Sequence, residues 1–303
     1  MSIFHQRIAL LTLVAVACAC GPILADDGPP ALRVVLIPER NAYEQRSQFS
    51  HITNFLSEKL GQNVYLEVMP DYEAAMASLA SGQADIGFLG GLSYLEARDR
   101  GNVVALVRPI WTSGEATCRA YVVARRDSGI ADVASMRGKK LILGSRHSFS
   151  AWLFPLYYLA NSGVGRVDGY FSSVSFDNAQ DTILWSVFMR ENDVGAVKSC
   201  IFDRMTVESP AIRQEVAIVA RSSPVPANCL AVRASMPQEM QDRLQFLLTS
   251  MDKVDDGKEA LARFGALRFV RTTEGDFTLL ASIIREYGNR NRHQQSADGE
   301  WGE

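Results

Sequence analysis

The chain has 303 residues, 47% of them hydrophobic and 21% charged, with a net charge of −3 at pH 7. No basic stripe interrupts that balance, which argues against a nucleic-acid partner. An anionic ligand would therefore be held by local dipoles and hydroxyls, not by a cationic field.

The first 25 residues differ in kind from the rest. His5 and Arg7 give a weakly basic start, Ile8 to Cys20 is apolar, and Gly21-Pro22 breaks the run before Ala25 and Asp26-Asp27. This is the layout of a secretory signal peptide, with cleavage expected after Ala25. The run is shorter than the roughly 20 residues that span a bilayer. Lipid anchoring through Cys18 or Cys20 is the alternative, although neither has a leucine three residues upstream. Residues 26–303 suffice for two compact domains, at about 100–200 residues each. Cys118, Cys200 and Cys229 remain after cleavage. An odd number in an oxidising compartment means one bridge with a free thiol, or none.

Leu32 to Pro38 is a continuous apolar run, read as a buried parallel strand. Phe49, Ile52, Phe55, Leu56 and Leu60 recur at helical spacing within 43–60, ending at Gly61. A strand at 64–68 follows, then a helix capped by Asp71 and stopped at Gly82. Ala84 to Leu89 is a third strand, and Gly90-Gly91 turns into a helix over Ser93 to Arg100. A second round begins with a strand at Ala120–Arg125. It continues with a short helix near Ile130 and Val133, a strand at 140–143 and a polar loop at 145–150. Helix 151–162, strand 170–176, helix 179–190, strand 193–197, a helical start at 198–205 and strand 215–220 complete it. Pro224 and Pro226 bend the chain into a strand at Cys229–Arg233. Helices follow over 237–251, 258–264 and 277–287, and 289–303 reads as a disordered polar tail. Alternation of strands and helices at this pitch predicts α/β lobes with parallel sheets. Such sheets bind ligands at the carboxyl ends of their strands, so two facing lobes make a cleft. No convincing nucleophile, metal cluster or phosphate-loop lysine is present, so binding without a cofactor is expected, not catalysis.

Several segments together carry a resemblance: IPERNAYEQ, DYEAAMASLASGQADIGFLGGLSYLEA, YVVARRDSGIADVASMRGKKL, SFSAWLFPLYYLANSGV, QDTILWSVFMRENDVGAV and FGALRFVRT. In their order and spacing the chain resembles the periplasmic binding proteins of phosphate, phosphite and phosphonate ABC transporters, from about Leu32 to Gly288. The resemblance implies a type II periplasmic-binding-protein fold whose chain crosses twice between lobes. The crossings are expected at the strands Ala120–Arg125 and Cys229–Arg233. Lobe 1 would then comprise 31–121 with 231–288, and lobe 2 residues 122–230. This placement brings Cys118 and Cys229 near neighbouring strands, where a bridge between them is conceivable.

The loop Ser145–Ala151, entering a helix near Trp152, is the first ligand-binding candidate, because a helix N-terminus offers unpaired N–H groups and a favourable dipole. It falls where the family shows Ser-Thr-Ser-Gly. Ser148 and Ser150 match, while Phe149 and Ala151 depart. His147 beside them can donate to an oxyanion, and Trp152 can wall the cleft. The turn Gly90-Gly91-Leu92-Ser93-Tyr94 comes next: Gly91 admits close backbone approach, and Ser93 and Tyr94 bring hydroxyls. Tyr43 lies on the same rim by this topology. Gln180-Asp181 replaces the family's His-Asp, with Asp181 either capping a helix or facing a ligand amine. Lys198 supplies a cation after the DVGAV strand. Plain alternatives exist for each: a serine cap, core tyrosines, solvated charges.

The function expected is that of an exported, monomeric solute receptor that closes around a small oxyanion and docks on an inner-membrane ABC permease. The alternative is a receptor of the same fold that reports to a membrane histidine kinase.

Overall fold

The structure is a computed structural model that describes residues 30–101 and 103–298, with side chains as far as 288. The expected signal segment, with Cys18 and Cys20, lies outside the described residues. No described helix is long and apolar enough to cross a membrane.

Two sheets form, each built from the alternation anticipated. In the first half the order is β1 (Leu32–Leu36), α1 (Ala42–Leu60), β2 (Val64–Val68), α2 (Tyr72–Ala80), β3 (Ile86–Leu89), α3 (Gly91–Gly101) and β4 (Val103–Trp111). β1 is apolar throughout its inner positions because it is paired in parallel on both sides, with β2 and with β3. The α1 N-terminus is held by Asn41, whose Oδ1 accepts from Tyr43 N and Glu44 N, and its C-terminus by Gly61 at φ 68°. Asp71 Oδ1 accepts from Ala74 N at 2.7 Å and caps α2 in the same way.

The chain then passes through β5 (Thr117–Cys118) into β6 (Ala120–Arg125), β7 (Lys140–Leu143) and a π-helical turn at Phe149–Leu153 that runs on into α4 (Phe154–Asn161). After these come β8 (Ser173–Phe176), α5 (Gln180–Phe188), β9 (Val194–Lys198), α6 (Ser199–Glu208), α7 (Pro210–Glu215) and β10 (Val216–Arg221). β11 (Val225–Pro226) leads back to β12 (Cys229–Arg233), α8 (Gln238–Thr249), α9 (Asp255–Phe264), β13 (Ala266–Arg271) and α10 (Thr278–Asp298).

The sheet orders are β13-β4-β12-β3-β1-β2 and β10-β6-β9-β7-β8, with β5 and β11 as a separate antiparallel ribbon. That ribbon, Thr117 opposite Pro226 and Cys118 opposite Val225, is where the chain crosses between lobes. The expected crossings are therefore corrected: β6 and β12 each lie wholly inside a sheet, and the crossing residues directly precede them. The tail reading is corrected too, since α10 continues past Tyr287 to Asp298.

Four strands escaped the sequence reading: the two short ones of the crossing ribbon, β5 and β11, and the longer β4 and β13. β4 and β13 form the antiparallel edge of the first sheet. Pro109 in β4 lies beyond Val107, the last β4 residue paired with β12, so it interrupts no central ladder.

Candidate functional site

The Ser145–Ala151 loop is shaped by backbone contacts before any ligand is considered. Ser148 sits in extended backbone and its Oγ accepts from Ala151 N at 3.2 Å, capping the turn. Leu153 N donates to Ser148 O at 3.1 Å, the five-residue spacing of a π-turn. Gly144 N donates to Ala151 O at 2.8 Å, and a Cβ on Gly144 would lie 2.4 Å from the Ala151 Cβ. Gly144 and Ala151 thus fit each other. The first amides of such a turn have no intrahelical acceptor.

Ser148, Phe149 and Ser150 are buried and line a small cavity with His147, Ser93, Gly91, Tyr72, Glu39, Lys198 and Asn228. The cavity has about 20 Å³ for the centre of a water-sized molecule, enough for a water or two. It lies against the crossing ribbon, for Cys118, Val225 and Pro226 also line it. Tyr72 and His147 are shared with a wider outer chamber of about 600 Å³, walled by Trp152, Phe176 and Arg146.

Across the cavity runs a buried polar network that the sequence reading did not assemble. Glu39 follows β1 in lobe 1, Lys198 ends β9 in lobe 2, and Asn228 lies between β11 and β12. Lys198 Nζ donates to the Glu39 carboxylate and, at 2.6 Å, to Asn228 Oδ1. Asn228 Nδ2 donates to the other Glu39 oxygen at 2.5 Å. Burial would lower the Lys198 pKa, but the Glu39 carboxylate and the Cys200 and Cys118 thiols outweigh it and raise it, so the ammonium stays charged. Gln180 is fully buried: its Oε1 accepts from Lys198 N at 2.7 Å, while its Nε2 has no partner. The Tyr72 hydroxyl is buried too, with the Gln180 and Ser148 side chains beside it. Burial and then the Glu39 charge push that phenol well above its ordinary value, so it can act only as a neutral donor or acceptor. Unpaired buried donors are rare and cost about 1–3 kcal/mol each.

The remaining expected residues divide. Ser93 is buried at the cavity, but its Oγ donates to His147 O at 2.9 Å across the lobes. His147 Nδ1 lies 2.6 Å from Glu96 and its Nε2 3.3 Å from Glu73, so the ring serves an interlobe contact. Asp181 neither caps α5 nor faces the cavity. Its Oδ2 accepts from Asn41 N at 2.8 Å, a bridge between the lobes, and its Oδ1 accepts from Thr182 N. Gln180 N donates to Glu39 O at 2.8 Å beside it. Gly91 lines the cavity, but its missing Cβ makes room for Leu280, which a Cβ would approach to 2.7 Å.

Two expectations are corrected. Tyr43 is 82% exposed, because the first turn of α1 rotates it outward. Tyr94 is 1% exposed and packs on Phe277 at 4.6 Å between ring centroids; α3 starts at Gly91, which turns Tyr94 into the core. Burial raises its phenol to about 12.

The cysteine expectation also changes. All three thiols are free. Ala120 is register partner to Lys198, and Ser199 N donates to Arg119 O at 2.8 Å, so the next pair in line is Cys118 and Cys200. Contact with the Cys200 thiol, then burial, pushes the Cys118 thiol up. Cys229 lies elsewhere, and burial pushes it to about 12.

Residues 34–277 match the family described as "ABC transporter, phosphonate, periplasmic substrate-binding protein". The chain belongs to that family. The phosphonates-binding periplasmic protein of Escherichia coli is 21% identical over 263 residues, covering 85% of this chain and 77% of the relative. A binding-protein component of an ABC phosphonate transporter from Pseudomonas aeruginosa superposes with a TM-score of 0.82 at 17% identity, covering 90% of each chain. A Prochlorococcus marinus protein solved with methylphosphonate superposes at 0.76 with 19% identity, covering 85% of this chain and 98% of that one. The fold is thus the type II periplasmic-binding-protein fold, and the class is substrate binding for transport.

Proposed function

We propose that this chain is an exported receptor that closes its lobes on a small oxyanion, phosphonate, phosphite or phosphate-like, for delivery to an ABC permease. The observation that carries the reading is the convergence on one buried cavity of the Ser148–Ser150 turn and Lys198 from lobe 2 with the Tyr72 hydroxyl from lobe 1. Together these hydroxyls and the Lys198 ammonium supply donors from both lobes to one cavity. Glu39 opposes a bare anion there, so a zwitterion satisfies the site best: its oxyanion on Lys198 and the serines, its ammonium on Glu39. The cavity's volume requires the lobes to part before such a ligand enters. The Prochlorococcus protein's methylphosphonate is in keeping with this ligand class. Export by residues 1–25, a monomeric state and a role in binding without catalysis belong to the same reading.

The test is a thermal-shift panel of methylphosphonate, phosphite, phosphate, 2-aminoethylphosphonate, sulfate and choline. A ligand at a hundred times its Kd stabilises by about 2.7 kcal/mol, which is several degrees of Tm. Ser148→Ala combined with Ser150→Ala should abolish that shift, while the lost Ser148 cap lowers the unliganded stability by only about 0.5–2 kcal/mol. Retained binding in the double variant would sink the loop assignment, and a response to choline alone would sink the oxyanion.

A further inference from the structure

On the other side of the Glu39–Lys198–Asn228 network lies a second interlobe chamber of about 600 Å³, within the range of organic-ligand pockets. Its floor is aromatic. Phe264 stands 5.3 Å from Phe49 and 5.5 Å from Trp111 between ring centroids, and Phe49 stands 5.1 Å from Phe88. Core packing accounts for the three phenylalanines, which are 2–6% exposed, but not for the polar atoms around the void.

Three of those atoms are buried without a hydrogen bond: Trp111 Nε1, Gln45 Oε1 and Arg204 Nη1. The nearest carboxylates to Arg204 Nη1, Glu44 and Glu208, stand at 4.0 and 3.9 Å, too far for a hydrogen bond. Arg40 approaches from lobe 1, its Nη2 donating to Gln48 Oε1 at 2.7 Å. Arg40 and Arg204 both line the chamber, one from each lobe, and burial and then the Arg204 charge lower the Arg40 pKa. A chamber with an aromatic floor, an indole N–H and two guanidiniums is complementary to a flat ring bearing an anionic group.

We propose that this chamber is a second binding compartment, distinct from the oxyanion cavity, for an aromatic organic anion whose carboxylate or phosphate lies between Arg40 and Arg204 while its ring rests on Trp111 and Phe264. Arg40, Arg204, Trp111 and Phe264 do not line the inner cavity, although Glu39, Lys198 and Asn228 wall both, so the two assignments are separated by variants at Arg204 and Trp111.

Indole-3-acetate and phenyl phosphate serve as probes, titrated by calorimetry into protein saturated with methylphosphonate. One further site per chain is expected. Arg204→Gln should weaken it at least about ten-fold, the scale of a lost charge-assisted hydrogen bond. Trp111→Phe should remove the probe-induced change in tryptophan fluorescence. Arg204→Lys, which keeps the charge and the fold, should weaken the probes less than Arg204→Gln, and neither should alter the methylphosphonate titration. The proposal is overturned if neither probe binds, if methylphosphonate displaces both, or if Arg204→Gln leaves their affinity unchanged. Failure of methylphosphonate itself to bind would count against the oxyanion cavity only, because the probes can be titrated without it.

Discussion

Lys198 of lobe 2 donates to Glu39 of lobe 1, and the two side chains are only 9% and 10% exposed. A buried pair of this kind is expensive to break from one side, because the remaining charge stays buried. Glu39→Ala and Lys198→Ala should each destabilise by about 3–5 kcal/mol. The double variant Glu39→Gln with Lys198→Met should recover much of that loss and still fail to bind methylphosphonate. Chemical denaturation of the four proteins checks the first point, and calorimetry the second.

Gly144 tests the backbone logic of the oxyanion turn without touching a ligand-facing side chain. A methyl group there would meet the Ala151 Cβ at 2.4 Å. Gly144→Ala should therefore shift the turn, costing about 1–3 kcal/mol as overpacking does. It should also weaken the oxyanion response more than its effect on Tm alone implies. An unchanged titration would mean that the turn's position is not critical.

The thiols make a discriminating pair. Under a mild thiol oxidant such as diamide, one bridge should form between Cys118 and Cys200, with the loss of two hydrogens to the oxidant. Peptide mapping should find the Cys118–Cys200 product, abolished by Cys200→Ser and untouched by Cys229→Ser. A Cys118–Cys229 product would contradict the register that places Cys200 opposite Cys118.

At acid pH, Asp276 is the group to follow. Its hydrogen bond to Arg108 is the main cause that holds the carboxyl at about 2, against an ordinary 3.8. A carboxyl depressed in the folded state contributes stability that is complete above about pH 4 and is lost as pH falls toward 2. Asp276 also accepts from Thr273 N at 2.8 Å, where the turn leading into α10 begins. Asp276→Asn should flatten the fall in Tm between pH 4 and pH 2 and lower the plateau above it. Parallel curves for the two proteins would remove this role.

Much of the architecture was legible because it follows from period and capping. LRVVL and IGFL are apolar because both neighbours are strands, and Asn41, Asp71 and Gly61 mark helix ends by their side-chain or backbone chemistry. The edge strands were not legible: in β13 exposed and buried residues do not alternate regularly, and β4 carries Pro109. At the site, the serine turn was readable as a helix entrance with hydroxyls. Glu39 and Tyr72 were not singled out, yet both follow strands, at the carboxyl ends of β1 and β2, where position alone recommends them. Tyr43 and Tyr94 were chosen for their side chains. One more turn of rotation, set by where each helix begins, decides whether such a ring faces a cleft, a core or solvent. His147 and Asp181 look like ligand contacts in sequence because an interlobe latch and a ligand clamp draw on the same residue types.

The crossing ribbon has a mechanical consequence. With only Thr117–Cys118 paired to Val225–Pro226, the lobes turn about a pivot two residues long, and Cys118, Val225 and Pro226 are also walls of the inner cavity. The cavity therefore works at the fulcrum, on a very short lever arm. Trp152 and Phe176 line the outer chamber, away from that pivot, so a rotation about the ribbon would move the outer walls further than the floor at Lys198 and Asn228.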